Sequence, residues 1–400
     1  NFFLVMRSLR NPVEIVSTSE HISAIDESSL PIYSVLCPLY KEAAVLPQFI
    51  DAMEKLDWPK DKLEVLLLLE EDDTETIEHA HAMGLPSHIR VVVVPHSFPK
   101  TKPKACNFGL SLARGEYIVI FDAEDKPEPS QLKKAYLAFK KFPEGGVCLQ
   151  AKLGYYNTNQ NLLTRLFSAE YALWFDLVLP GLQSIGAIIP LGGTSNHFAK
   201  KDLEALHGWD PFNVTEDCDL GIRLFFAGLK TAIIDSITYE EANSHLGNWI
   251  RQRSRWIKGY MQTYLVHTRK PVLFLARHRF QTVIFHLVVG GKIAFMFINP
   301  FLWVATISYF AFRSIVGPTI ESLYPPIIFY MGAFSLVFGN FSFLYYYLIG
   351  CAKREHWSLM KYVYLVPFYW LCISIAALRA VFQLVWKPHF WEKTHHGLHL

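Results

Sequence analysis

The chain has 400 residues, 51% hydrophobic and 15% aromatic, with a mean hydropathy of +0.19. Only 18% are charged, against about a quarter in an ordinary soluble domain, so a soluble part joined to a membrane part is expected. A net charge of +2 gives no electrostatic case for nucleic acid, and six scattered cysteines without a CxxC pair indicate neither a zinc site nor a disulfide framework, only free thiols.

Residues 1–5, NFFLV, are apolar and precede Arg7 and Arg10. Residues 1–30 therefore read as the stub of a membrane helix plus a linker, with the arginines on the cytoplasmic side; a disordered chain end is the alternative. Residues 31–150 alternate strand and helix. IYSVLCPLY (32–40), LEVLLLLEE (63–71), IRVVVVP (89–95) and EYIVIFDAED (116–125) are strand runs, with helical stretches such as 42–56 and 103–114 between them. This alternation implies an α/β fold: a mostly parallel, Rossmann-like sheet with helices on both faces. Ligands of such sheets bind beyond the carboxyl ends of the strands, where the acids of 70–73 and 122–125 stand.

The soluble domain is expected to run to residue 242, through PLGGTSNHF (190–198) and GWDPFNVTEDCDLGIRL (208–224). Residues 243–290 begin with a basic amphipathic stretch rich in Trp and Tyr, expected to lie at a membrane interface with its cations in the headgroups. Residues 291–400 hold the membrane region and tail. The uncharged run 293–312 and the run 327–349 are each long enough to span. Lys353, Arg354 and Lys361 place the following loop, and with it residues 6–290, in the cytoplasm. Residues 362–386 contain Pro367 and Arg379 and read either as a third span or as a re-entrant or interfacial hairpin. Lys292, at the start of the first span, is expected to snorkel to the interface.

Three acidic clusters and one basic cluster carry the chemistry. Glu70 and Asp72 lie in LLLEEDDTET, Asp122 and Glu124 in FDAED, and Glu216 and Asp217 in TED. The basic cluster is Gln252-Arg253-Ser254-Arg255-Trp256. Carboxylates two residues apart at a strand end can address one hard cation, Mg²⁺ or Mn²⁺, bridging two phosphates. Arginines donate bidentately to a departing diphosphate, and a tryptophan face is a platform for a sugar ring. A separate carboxylate such as Asp217 could deprotonate an acceptor hydroxyl. Plainer readings stand beside these. Asp72–Asp73 equally suit a helix N-cap, as does Thr215 ahead of DLGIRLFF. His197 in SNHF suits either the acceptor's surroundings or a satisfied core. His395, His396 and His399 read as loop imidazoles rather than metal ligands, because no carboxylate or thiolate set accompanies them.

The order acid cluster, D-x-E, TED, QxxRW, membrane span resembles the membrane-embedded family 2 glycosyltransferases, the group of cellulose, hyaluronan and chitin synthases. The motifs are PLYKE (38–42), the acids 70–73, KPKACN (102–107), DAED, TED and QRSRW. The resemblance implies a GT-A-type fold and a metal-dependent inverting transfer from a UDP-sugar to a growing β-linked glycan. It further implies a multi-pass protein of the plasma (inner) membrane with its catalytic domain in the cytoplasm, its product exported through the bilayer with room for envelope partners. By the same resemblance Pro38, Tyr40, Glu42, Glu70 and Asp72 form the nucleoside edge, and Lys102 and Asn107 lie near the nucleotide. Asp122 and Glu124 match the metal motif. Asp217, with Glu216 beside it, matches the catalytic base. Gln252, Arg253, Arg255 and Trp256 match the element that closes over the diphosphate and holds the acceptor. Glu124 stands where the family has Asp. WEKT (391–394) suits a mobile cover for the nucleotide. Non-processive lipid glucosyltransferases, similar to those acting on ceramide, share the (Q/R)xxRW signature and remain the alternative. A silent scaffold subunit would carry degraded motifs, and these are intact.

Overall fold

A computed structural model describes residues 2–388. The apolar runs form the strands that the sequence predicts. β1 (Tyr33–Leu39), β2 (Leu63–Glu70), β3 (Ile89–Val94) and β4 (Tyr117–Ile120) pair in parallel in the order β3-β2-β1-β4. β2 is buried along its whole length, as a strand covered on both faces must be. Its alternate residues feed two cores. Val65 and Leu67 pack with the helices Leu46–Glu54 and Gln131–Phe139, while Leu66 and Leu68 pack with Lys102–Leu112 and Glu216–Phe226.

The second half adds β5 (Lys126–Pro127), β6 (Val147–Tyr155), β7 (Asn196–Ala199) and β8 (Lys230–Glu240). β7 runs antiparallel between β4 and β6, and β8 lies parallel to β6, so the eight-stranded sheet is mixed though mostly parallel.

Among the described residues three helices are long and apolar enough to cross a membrane: Phe280–Ala311, Pro326–Lys353 and Val366–Trp386. The last gives the segment 362–386 the length of a full span. Pro367 sits in its first turn, where it lacks no hydrogen bond. The connection after the first span is itself helical, Arg313–Leu323. A buried charge network seats the second span on the sheet. Lys152 of β6 reaches Glu14 at 2.8 Å and Asp176 at 3.2 Å, Lys353 also holds Glu14 at 2.8 Å, and Arg354 pairs with Asp176.

The basic stretch departs from expectation. It is one helix, Leu246–His267, whose cations turn inward rather than toward headgroups: Trp249 and Lys258 are fully buried, as are nearly all of Gln252 and Arg253. The reason lies in the partners they find. Arg253 meets Glu170, and the Lys258 ammonium reaches the Lys387 carbonyl at 3.3 Å. A buried cation persists where such partners exist. The amino-terminal helix Phe2–Arg10 packs through Val5 onto the short helix Leu179–Ser184, with the Arg7 guanidinium donating to the Ser184 carbonyl.

Candidate active site

A cavity of about 370 Å³ opens at the carboxyl ends of β1, β2 and β4 and runs inward to the first and third of the long apolar helices. Pro38, Tyr40, Glu42 and Glu70 line its outer part with Lys100 and Lys102. The two neighbouring aspartates divide their roles. Asp73 caps the next helix, accepting from the amides of Thr76 and Lys41. Asp72 is exposed outside the lining, and its carboxylate takes Lys100 at 2.6 Å and the Tyr40 hydroxyl at 3.4 Å. Lys104 pairs with Glu70 at 2.6 Å.

Lys102 starts its helix beside Pro103 and aims its ammonium at Asp122 and, at 2.7 Å, at the Gly193 carbonyl. A β-carbon at Gly193 would stand 3.6 Å from the Asp217 carboxylate and 4.0 Å from the Lys102 ammonium. Glycine there keeps open the space between base candidate and cation. Asn107 lies on the same helix but outside the lining. Its amide brackets Trp209, accepting from the backbone N–H at 2.9 Å and donating to the carbonyl at 2.7 Å. From its helix Asn107 thus holds the loop that leads into TED.

DAED turns at the end of β4. Asp125 is fully buried, accepts from the Asp122 amide at 2.7 Å and also takes the Thr194 hydroxyl. Burial first, then the charges of Asp122 and Glu124, push its carboxyl well above the usual range. Burial pushes Glu240 up in the same way, with Asp125, Glu124 and Asp122 adding to it. This crowding of carboxylates suits a hard divalent cation. Among the described residues no three His, Cys, Asp or Glu side chains converge as a complete ligand set. Two protein carboxylates with donor phosphates and water are the usual complement for Mg²⁺, so Asp122 and Glu124 fit that partial role.

TED opens the helix Glu216–Phe226. Thr215 stands at the N-cap position without a side-chain cap bond, and the Asp217 carboxylate accepts from the Cys218 amide at 2.8 Å. Burial and the neighbouring Asp217 raise Glu216 to about 7, and burial raises Asp217 as well. Arg255 faces these acids, with Glu216, Asp217, Asp122 and Glu124 all acting on its guanidinium. Arg253 does not. It lines the cavity, but its guanidinium is spent on Glu170, whose carboxylate also accepts from the Tyr369 hydroxyl at 2.6 Å. Gln252 takes the Asn243 amide at 3.0 Å, and Trp256 lines the cavity with the Arg253 guanidinium 4.9 Å from its ring.

His197 belongs to the core. It is fully buried, holds the Tyr33 hydroxyl at 2.7 Å, and burial lowers it to about 3. The segment WEKT and His395, His396 and His399 lie outside the described residues. Sequence reading missed Glu170, Trp174, Tyr260 and Lys292 as cavity residues. The one signal for Glu170 is a lone acid in the apolar run LFSAEYALWF.

An α/β sheet gathers acids, a buried carboxylate and a basic–aromatic helix around one cavity, beside helices long and apolar enough to cross a membrane, and the class of protein follows from the family it matches. Residues 117–382 match Glycosyl transferase family group 2, and the chain belongs to that family. It is 28% identical over 255 residues to the probable glycosyltransferase YdaM of Bacillus subtilis (strain 168), covering 61% of this chain and 60% of that one. It is 26% identical over 257 residues to the beta-monoglucosyldiacylglycerol synthase of Nostoc sp. (strain PCC 7120), covering 63% of this chain and 53% of the relative. The chain thus spans 60% and 53% of the length of these curated relatives. Among solved structures, the mannosyltransferase PcManGT from Pyrobaculum calidifontis in complex with GDP-Man and Mn²⁺ superposes with a TM-score of 0.54 at 20% identity, over 89% of this chain and 94% of that one. That likeness shows the fold.

Proposed function

We propose that this glycosyltransferase moves a sugar from a UDP-sugar, with inversion, to a hydroxyl of an acceptor that arrives from the membrane side, and so extends a β-linked polysaccharide. One observation carries the reading. A single cavity holds Asp122, Glu124, Asp217 and Trp256 and is walled at its far end by Met296 and Ile373 of two spanning helices. The nucleoside lies along Pro38, Tyr40 and Glu70. Asp122 and Glu124 would hold Mg²⁺ or Mn²⁺, which neutralises diphosphate charge when bound. Asp217 takes the proton of the acceptor O–H, with Glu216 sharing that charge. The acceptor oxygen bonds to the anomeric carbon, and the carbon–diphosphate bond breaks with its electron pair leaving on the diphosphate. Lys102 and Arg255 face that developing charge. The catalytic part works in the cytoplasm, and the product leaves through the bilayer.

A single transfer to a lipid is the second reading, favoured by the name of the Nostoc relative. Product sizing separates them. The full chain in nanodiscs, given a panel of UDP-sugars with Mg²⁺ or Mn²⁺, should release UDP and yield a long glycan, and Asp217→Asn should not. A lipid-sized product would favour the second reading, and no turnover with any donor would overturn both.

A further inference from the structure

The inner end of the cavity contains a cation that the reaction above does not use. Lys292 is the second residue of the helix Gly291–Ala311, where composition expects it to snorkel. Its ammonium instead lies 3.9 Å from the ring centre of Trp174 and 4.5 Å from that of Tyr260, on the cavity wall. Among the described residues no carboxylate forms an ion pair with it and no hydrogen bond engages it. Glu170, which lines the same cavity, is already held by Arg253 and the Tyr369 hydroxyl. The rings stabilise the charge but accept none of its three N–H bonds.

Trp174 opens a π-helical turn, Trp174–Val178, between the helices Leu162–Leu173 and Leu179–Ser184. Such turns recur at functional sites. Met296, one turn beyond Lys292 on the same helix face, continues the wall in apolar character, and Ile373 faces it from the third spanning helix.

We propose that Trp174, Tyr260 and Lys292 form the subsite for the acceptor's terminal sugar, with the aromatic faces bounding the ring and the ammonium donating to its hydroxyl oxygens. The ligand is a neutral polyhydroxylated ring. An anionic group there would share the cavity with Glu170, Glu216 and Asp217. The subsite rests on the hydroxyl-acceptor reading above, and it narrows that reading to acceptors that end in a sugar.

The test uses the full chain in nanodiscs, the UDP-sugar identified by the donor panel, and two acceptor probes, cellotetraose and dioctanoylglycerol. The parent should glycosylate cellotetraose. Lys292→Met should raise the KM for cellotetraose about tenfold or more, the loss expected for a charged hydrogen bond. Turnover should shift from transfer toward hydrolysis of the donor, and Lys292→Arg should recover part of the loss. An unchanged acceptor KM in Lys292→Met would overturn the subsite. So would a Lys292→Met variant that loses UDP binding along with transfer, which marks a structural role. Transfer by the parent to dioctanoylglycerol alone would overturn the sugar assignment. A parent without donor turnover would instead sink the functional reading itself.

Discussion

Gly259 and Thr215 touch. A β-carbon at Gly259 would lie 2.2 Å from the Thr215 hydroxyl oxygen and 2.5 Å from its methyl carbon. The helix that carries QRSRW therefore presses its backbone against the residue that leads into Glu216 and Asp217. Gly259→Ala must push the two apart. Overpacking of this kind costs about 1–3 kcal/mol, and here the displaced atoms adjoin Asp217. The variant should melt earlier and transfer sugar more slowly while binding UDP. Parent-like melting and turnover would show that the contact relaxes without consequence.

The pair Glu216 and Asp217 sets a pH dependence. Glu216 lies near 7 rather than its ordinary 4.5, raised by burial and by Asp217, and Asp217 is raised as well. The two titrate as a pair. A base works only when deprotonated, so kcat/KM should fall as pH drops, with an acid limb above the ordinary carboxylate range because Asp217 is raised. Stability should move the other way. Between pH 4.5 and 7 the folded state binds more protons than the unfolded one, so stability declines as pH rises across that window. Asp217→Asn should lower transfer by about 10²–10⁴. An acid limb near pH 4 would contradict the raised values.

Arg253 couples the basic helix to the third long apolar helix, Val366–Trp386. Its guanidinium donates to Glu170 and lies 3.0 Å from the Tyr369 oxygen, with the rings of Phe167 and Trp256 at 4.6 and 4.9 Å. Removing one partner of a buried pair leaves the other charge uncompensated, at about 3–5 kcal/mol. Glu170→Gln should lower the melting temperature sharply, and Arg253→Lys should fail to substitute, since an ammonium lacks the planar fork. A double-mutant cycle on Arg253 and Tyr369 would measure the coupling. Additive effects would show that the helices are held by other contacts.

These residues show what a sequence displays and what it conceals. β1 to β4 were legible because strands covered on both faces are continuous apolar runs, and the acids followed from the strand ends. β6 was hidden because it buries two polar side chains, Gln150 and Lys152. Their partners, the backbone near Thr194 for the first and Glu14 and Asp176 for the second, come from distant segments. The basic helix misled for the same reason. Its composition fits a headgroup face, but Glu170, which turns Arg253 inward, is 83 residues away in sequence. Trp174 and Lys292 belong to no motif, and only the fold brings them together.

Metal should govern donor binding more than protein stability. Asp122 and Glu124 line one end of the cavity, and burial, then the charges of those two, pushes Asp125 and Glu240 beside them up, so added negative charge is disfavoured there. Two unit charges 4 Å apart near a protein surface interact by about 4 kcal/mol, so a diphosphate brought against these acids without a cation meets a substantial barrier. Lys102 offsets part of it through Asp122. UDP affinity measured by calorimetry should therefore fall by about tenfold or more in excess chelator, and recover with Mn²⁺ or Mg²⁺. Asp122→Asn should weaken UDP binding in the presence of metal and shrink the difference that the chelator makes. The melting temperature without nucleotide should respond little to chelator, because two carboxylates alone hold such ions weakly. Equal UDP affinity with and without metal would remove Asp122 and Glu124 from the metal role and leave the diphosphate to Lys102 and Arg255.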